Sequence, residues 1–339
     1  MIDFNFIVTR VLTTSYLSKY FYQFLWSLFV FILPFCMAPF AKAAIHNSHL
    51  VNRLEEVIHN DRGHRGLNSF WNWGALLKAA KIINACQDVY IVTGFYIPAV
   101  KRAETDGPLG AVNLAAAIAS LGKRVAILTD PYESQVIKSA IKQSNGRDIS
   151  FITFNKKEKI DSFAKQLNQG SCVISIERLG RAVNGRYYNM GGHDETQYTL
   201  PFDDMMLLTH RQYKTIGIGD GGNEIGMGNK YKKIMQYVSH GPVIASIVKA
   251  DVLIMSGTSN WGGDALAFAL QIINPRKNVL TPTLASSRKI LKGIVDAGAV
   301  DGITLKNTTS VDGFMYDDIH ANILRTLQII TRQRLKPTI

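Results

Sequence analysis

Apolar residues recur along this chain with two periods that take turns. Trp71 to Cys86 carries them at helical spacing, and Val89 to Thr93 follows as a short β-rich run that stops at Gly94. Leu109 to Leu121 again reads as a helix, and Val125 to Thr129 as a strand closed by Asp130. Ile149 to Phe154 and Val173 to Ile176 are buried-strand candidates separated by helical sequence over Lys157 to Leu167. Lys214 to Ile218 and Val252 to Met255 are two more strands, each entering a Gly-rich loop, and helices over Ala265 to Ile273, Ser287 to Ala297 and Ile319 to Thr331 complete the pattern. Continuously apolar strands alternating with helices predict an α/β domain of Rossmann-like kind, a mostly parallel sheet with helices on both faces.

No Pro/Ser linker, low-complexity tract or internal repeat divides residues 44–339, which predicts one domain there. Residues 1–43 differ. Arg10 and Lys19 precede an apolar run from Phe21 to Phe40, which ends in Ala41-Lys42-Ala43. This order fits a signal peptide cleaved after small residues, and it predicts an exported, periplasmic or secreted, domain. The competing reading is an uncleaved membrane anchor over residues 21–41, because the run approaches the roughly 20 residues that span a bilayer. Pro34 and Pro39 interrupt the run and favour processing. A mitochondrial presequence is disfavoured, since such segments are amphipathic and Arg-rich whereas this one is aromatic.

With 47% apolar and 19% charged residues in 339, the chain has enough material for a large core, which excludes disorder as the default. Its net charge of +12 is scattered, without an Arg-rich arm or an aromatic-basic RNA motif. Nucleic acid is therefore not the expected partner; a basic surface that steers small acidic ligands is. Membrane contact follows only if the leader stays attached, and association into a homo-oligomer is left open. Cys36 falls in the leader, and Cys86 and Cys172 lie beside core segments with no metal-ligand spacing. Whether those two pair depends on the compartment.

In open parallel sheets, ligands bind beyond the carboxyl ends of the strands. Four polar loops follow strand candidates: Gly94 to Gly110, Glu177 to Asn189, Gly219 to Asn229 and Ser256 to Asp264. The third reads Gly219-Asp220-Gly221-Gly222-Asn223-Glu224 and continues with glycines to Gly228. Its glycines bring main-chain N–H groups close to a ligand while Asp220, Asn223 and Glu224 add acceptors, a combination suited to a zwitterion. Gly217, Gly219 and Gly222 match a dinucleotide fingerprint, but Asp220 would repel a pyrophosphate. Glu104-Thr105-Asp106-Gly107-Pro108 opens a helix, where Asp106 serves either as its cap or, with Glu104, at a ligand. Asn260 and Trp261 open another helix, Arg178 suits a substrate carboxylate, and His320 is the side chain with a pKa fit for proton transfer near neutrality. The long segment from Gly180 to Pro201 lacks regular pattern, and loops of that length are usually functional or disordered.

Taken in order, Thr93-Gly94-Phe95, Glu104 to Pro108, Glu177-Arg178, Tyr187-Tyr188-Asn189, Gly219 to Gly228, Ser259 to Gly263 and Val311-Asp312-Gly313 with His320 resemble the D-glutamate cyclase family, in its C-terminal domain. The resemblance covers nearly everything after the leader. It departs at Leu179, where the family has proline, and over Gly191 to Glu195; the family's mitochondrial enzyme also carries an N-terminal hydro-lyase-like domain outside this sequence. The resemblance implies a hydro-lyase that dehydrates D-glutamate to 5-oxo-D-proline. Under that implication Asp220 and Glu224 hold the ammonium and take its proton, and His320 is the general acid. The loop amides at Gly221 and Gly222, with Asn223 and Asn260, stabilise the oxyanion, while Arg178 or the turn at Glu104 and Asp106 holds the α-carboxylate. No cofactor is predicted and no metal ligand is assigned. The alternatives are a non-catalytic binding protein for an acidic amino acid, and a hydrolase with a divalent metal on Asp106, Asp220, Glu224 and His320, whose spacing carries no metal signature.

Overall fold

A computed structural model describes residues 45–144 and 148–335. The leader over residues 1–43 lies outside the described residues. All six predicted strands form: β1 (Asp88–Thr93), β2 (Arg124–Thr129), β3 (Ile149–Thr153), β4 (Ser171–Ile176), β5 (Lys214–Gly219) and β6 (Val252–Met255). They build one sheet in the order β3-β2-β1-β4-β5-β6, with every neighbouring pair parallel. Successive side chains of a strand point to opposite faces. Cys172, Ile174 and Ile176 of β4 thus enter the larger core, and Val173 enters a second one with Phe154, Phe202 and Tyr213. A strand apolar on both faces must be covered on both, and that requirement makes the architecture three-layered.

The chain leaves β1 in one direction to lay down β2 and β3, then returns to place β4 against the other edge of β1. Crossover connections diverge at this reversal and leave a crevice beyond the carboxyl ends of β1 and β4. Those ends are Thr93-Gly94 and Ile176-Glu177.

The helices of the described residues include α1 (Ala75–Ala85), α2 (Pro108–Ser120), α3 (Ser134–Gln143), α4 (Lys157–Ala164), α5 (Ser259–Ile273), α6 (Leu284–Asp296) and α7 (Ala321–Arg332). α1 starts later than its apolar pattern because the Glu55 carboxylate accepts from the amides of Gly74 and Leu76, at 2.6 and 2.9 Å, and fixes the first turn there. α5 starts earlier, at Ser259, so the Ser-Asn-Trp segment lies inside its first turn. α3 is not among the predicted helices; its buried residues are only Val136, Ile137 and Ala140, too few to stand out. Cys86, just ahead of β1, and Cys172 in β4 are joined by a disulfide with their Cα atoms 6.1 Å apart. The β1–β4 register, not their sequence spacing, brings them together.

α2 and α5 are apolar nearly all round and cross in the interior. The crossing is close because two glycines face it. A Cβ on Gly110 would stand 2.7 Å from Asn260 Cα, and one on Gly263 would stand 2.7 Å from Gly110 O. Backbone cannot yield as a side chain can, so Gly110→Ala should cost about 1–3 kcal/mol in urea denaturation.

Asp264, on α5, is buried and accepts a 2.8 Å hydrogen bond from Asn113 Nδ2. Burial pushes its carboxyl from 3.8 up to about 7. Below about pH 4 the group is protonated whether the chain is folded or not. Between there and about pH 7 only the unfolded chain loses the proton, so stability falls as pH rises. Asp264→Asn should flatten that decline, whose slope is at most about 1.4 kcal/mol per pH unit. Urea midpoints of both proteins at pH 5 and pH 8 measure it, and parallel pH profiles would count against the assignment.

Candidate active site

Five carboxylates and one guanidinium gather at the β1–β4 crevice. Glu177 ends β4 with a left-handed backbone, φ +45°, and its amide bonds Ile218 O of β5. Asp220 follows β5. Glu104 and Asp106 come from the turn ahead of α2, whose Gly107 has φ +96°; a Cβ there would meet Glu177 Cβ at 2.8 Å. Asp312 sits in the tight turn between Val311 and Phe314. Arg65 reaches in from a loop that Asp61 ties down, its carboxylate accepting from the amides of Arg65, Gly66 and Leu67. The Arg65 guanidinium bonds Asp220 at 2.6 Å and Asp312 at 2.9 Å.

Glu104, Glu177, Asp220, Asp312 and Arg65 line a cavity of about 230 Å³ together with Asn223 and the rim residues Asn189, His193 and Glu195. The patternless segment from Gly180 to Pro201 supplies that rim. Wider recesses of about 430 and 670 Å³ lie elsewhere, one lined by Lys230, Lys232, Lys233 and Lys249 and the other by Glu56, His59 and Asp61. Neither opens at the strand-order reversal, where the titratable groups converge.

Burial dominates the electrostatics. It pushes Glu177 well above the usual carboxylate range, with Glu224, Asp106 and Glu104 adding repulsion. Glu104 is raised in the same way by burial, then by Asp312 and Asp106. Asp220 is raised by burial, although Arg65 pulls it down. Burial, with Asp312 nearby, brings Asp106 up to about 7. Burial alone would lower Arg65; Asp220, Asp312 and Glu177 outweigh it and hold the guanidinium charged. Asp106 is thereby poised to exchange a proton near neutral pH, and Glu104, Glu177 and Asp220 hold protons more readily than ordinary carboxyls do.

Several residues expected at the ligand are spent on holding the chain. Glu224 is fully buried, and its carboxylate accepts from the amides of Asp220, Gly221 and Gly222 at 2.9, 2.6 and 2.7 Å. It folds its own loop and is not placed to take a substrate proton, and the amides it binds are not free for an oxyanion. Asn260 Oδ1 accepts from Gly107 and Gly110, and its Nδ2 donates to Thr105 O. It clasps α5 to the start of α2, and it is not among the residues that line the cavity. Asp106 caps α5, accepting from the amides of Ser259 and Asn260, where a cap for α2 was the expectation.

Arg178 pairs with buried Asp130 at 2.7 Å and donates to Gly94 O and Leu200 O, so it braces the layer beneath the cavity instead of receiving a carboxylate. His320 accepts from Trp261 Nε1 at 2.9 Å through Nδ1, and its Nε2 faces Val311 O at 3.0 Å. That pairing requires the proton on Nε2, and burial lowers the pKa of the ring. His320 does not line the cavity, which removes the geometric basis for a general acid there. Asn223 does line it, with Nδ2 donating to Tyr188 O.

Sequence reasoning missed Arg65 altogether, and it named Glu177 and Asp312 only within stretches that carry the family resemblance, without giving either a role. Nothing local marks Arg65, which stands among other loop polar residues and gains its partners only in three dimensions.

A family profile described as D-glutamate cyclase-like, C-terminal, matches residues 54–328. The chain belongs to that family. It is also similar to the human protein D-glutamate cyclase, mitochondrial, at 31% identity over 85% of this chain and 53% of that relative, so it spans about half the relative's length. Within the matched residues, Glu104 of the acidic turn and Asp220 and Asn223 of the glycine-rich loop line the cavity. The expectation of export or membrane anchoring does not survive the comparison. The relative is a mitochondrial protein, and among the described residues no helix is long and apolar enough to cross a membrane. The leader that suggested export lies outside those residues.

Glu224→Gln keeps the size of the side chain but turns one end into a donor against donors. It should destabilise the domain by about 1–3 kcal/mol, read from chemical denaturation.

Proposed function

We propose that this domain is a lyase that closes D-glutamate to 5-oxo-D-proline with release of water. The observation that carries the reading is the convergence of Asp220, Glu177, Glu104 and Arg65 on one small cavity in a chain of the D-glutamate cyclase-like family. The acidic wall suits an ammonium group, and the volume suits an amino acid better than a dinucleotide. Arg65 is the only Arg or Lys among the lining residues described, and a substrate carboxylate would share its guanidinium with Asp220 and Asp312.

The reaction balances without an outside reagent. The ammonium gives up two of its three protons, its nitrogen bonds the γ-carboxyl carbon, one carbon–oxygen bond breaks, and that oxygen leaves as water with those two protons. Asp220 accepts the first proton from the ammonium, and Glu177, whose carboxyl is held protonated more readily than an ordinary one, supplies a proton to the departing oxygen. These roles replace those expected for Glu224 and His320.

The test is to incubate the purified chain with D-glutamate, L-glutamate and 5-oxoproline and to resolve products on a chiral column. Lactam from the D-enantiomer is expected, with Asp220→Asn lowering the rate by about a hundredfold or more while the circular dichroism spectrum is retained. Full activity in that variant would remove Asp220 from the reaction. Thermal stabilisation by D-glutamate without any lactam would instead identify a binding protein.

A further inference from the structure

The geometry points to a binding site for one divalent cation formed by Glu177 and Asp220, which line the cavity, and Asp106, which stands against them. One carboxylate oxygen from each of the three lies within 4.8 Å of the others, a spacing that lets a single ion touch all three. Their placement is not a matter of sequence proximity: each comes from a different loop at the strand-order reversal, and the fold alone brings them together.

A second observation comes from Glu177. Only 7% of this residue is exposed, and its Oε2 has no hydrogen-bond partner. An unpaired carboxylate oxygen at that depth is costly, and the side chain lines the cavity. The neighbouring acids do not relieve it. Glu104 and Asp312 add further negative charge, and the Arg65 guanidinium is already divided between Asp220 and Asp312. Asp106 holds three main-chain amides, two on Oδ1 and one on Oδ2, so Oδ2 retains a lone pair and capping α5 is compatible with ligating an ion.

Three hard oxygen donors with room for water or ligand oxygens suit Mg²⁺ or Mn²⁺. One consequence rests on the proposed cyclisation: a bound ion would polarise the γ-carboxyl group, make a poor electrophile attackable and, with the Glu177 carboxylate occupied as its ligand, take over from Glu177 the stabilisation of the departing oxygen.

The full chain, dialysed against chelator, is titrated with Mn²⁺ and the free ion is followed by electron paramagnetic resonance. One Mn²⁺ per chain is expected to bind, Mg²⁺ to compete, and Glu177→Gln to weaken binding by at least about tenfold. Asp264→Asn, which alters a buried acid outside the cavity, should bind as the unmodified chain does. If Glu177→Gln fails to fold, Asp220→Asn carries the same comparison. Failure to bind Mn²⁺, or binding that neither cavity variant weakens, overturns the site. Lactam formation by metal-free protein at an undiminished rate overturns the ion's part in the reaction and leaves the cyclase reading intact. Mn²⁺ binding at the triad with no lactam from either enantiomer supports the site and refutes the cyclase reading.

Discussion

The structure turns on keeping several carboxylates together out of water beside a single guanidinium. Buried like charges repel strongly, and a group that cannot be paired or hydrated is displaced toward its neutral form. Arg65 bonds two of these acids directly, and its own loop is secured by an acid outside the cluster, Asp61. The bracing around it has the same purpose. Asn260 ties the turn carrying Glu104 and Asp106 to α5, Arg178 and Asp130 support the layer below, and Glu224 closes the loop that presents Asp220. None of this maximises stability. Such an arrangement holds protonation states away from their solution values at one end of the sheet, and that is a property of sites that handle protons or cations.

Residue type alone did not separate the groups that face the cavity from those that build it. Asp220 and Glu224 are four positions apart in one glycine-rich loop, yet Asp220 bonds Arg65 while Glu224 is consumed by three amides. Asn260 and His320 are the same case: every strong hydrogen-bonding atom of their side chains has a protein partner. Main-chain amides exposed by glycine-rich turns need acceptors whether or not a ligand comes, and a nearby acid of the same loop is the cheapest one. Family motifs therefore mix two kinds of constraint, and only the partners of each atom distinguish them.

The position of the cavity is a consequence of topology. Because β4 returns to the far side of β1, the loops after β1, β4 and β5 open side by side, and residues distant in the chain converge. The crossing of α2 and α5 at Gly110 and Gly263 then fixes how near the turn at Asp106 comes to the start of α5. Packing of two apolar helices and placement of an acidic cluster are thus one problem, solved by two absent side chains.

What the sequence determined by itself was the period of its apolar residues. Runs such as Val173 to Ile176 and Val252 to Met255 are apolar on both faces, and burial on both sides leaves a covered parallel sheet as the outcome, so the strands and most helices were legible within a few residues. The glycine-rich loop and the acids at Glu104, Asp106 and Asp220 stood out too, as glycine and charge close together, and the fold gathers those acids at one crevice. Tertiary structure alone decided which of those acids stay free, that Asp106 caps α5 and not its own helix, that Cys86 meets Cys172 across β1 and β4, and that Arg65 is the cation of the site. The reason is physical: apolar burial follows from periodicity along the chain, whereas the fate of a charge is set by whatever the fold places within a few ångströms of it.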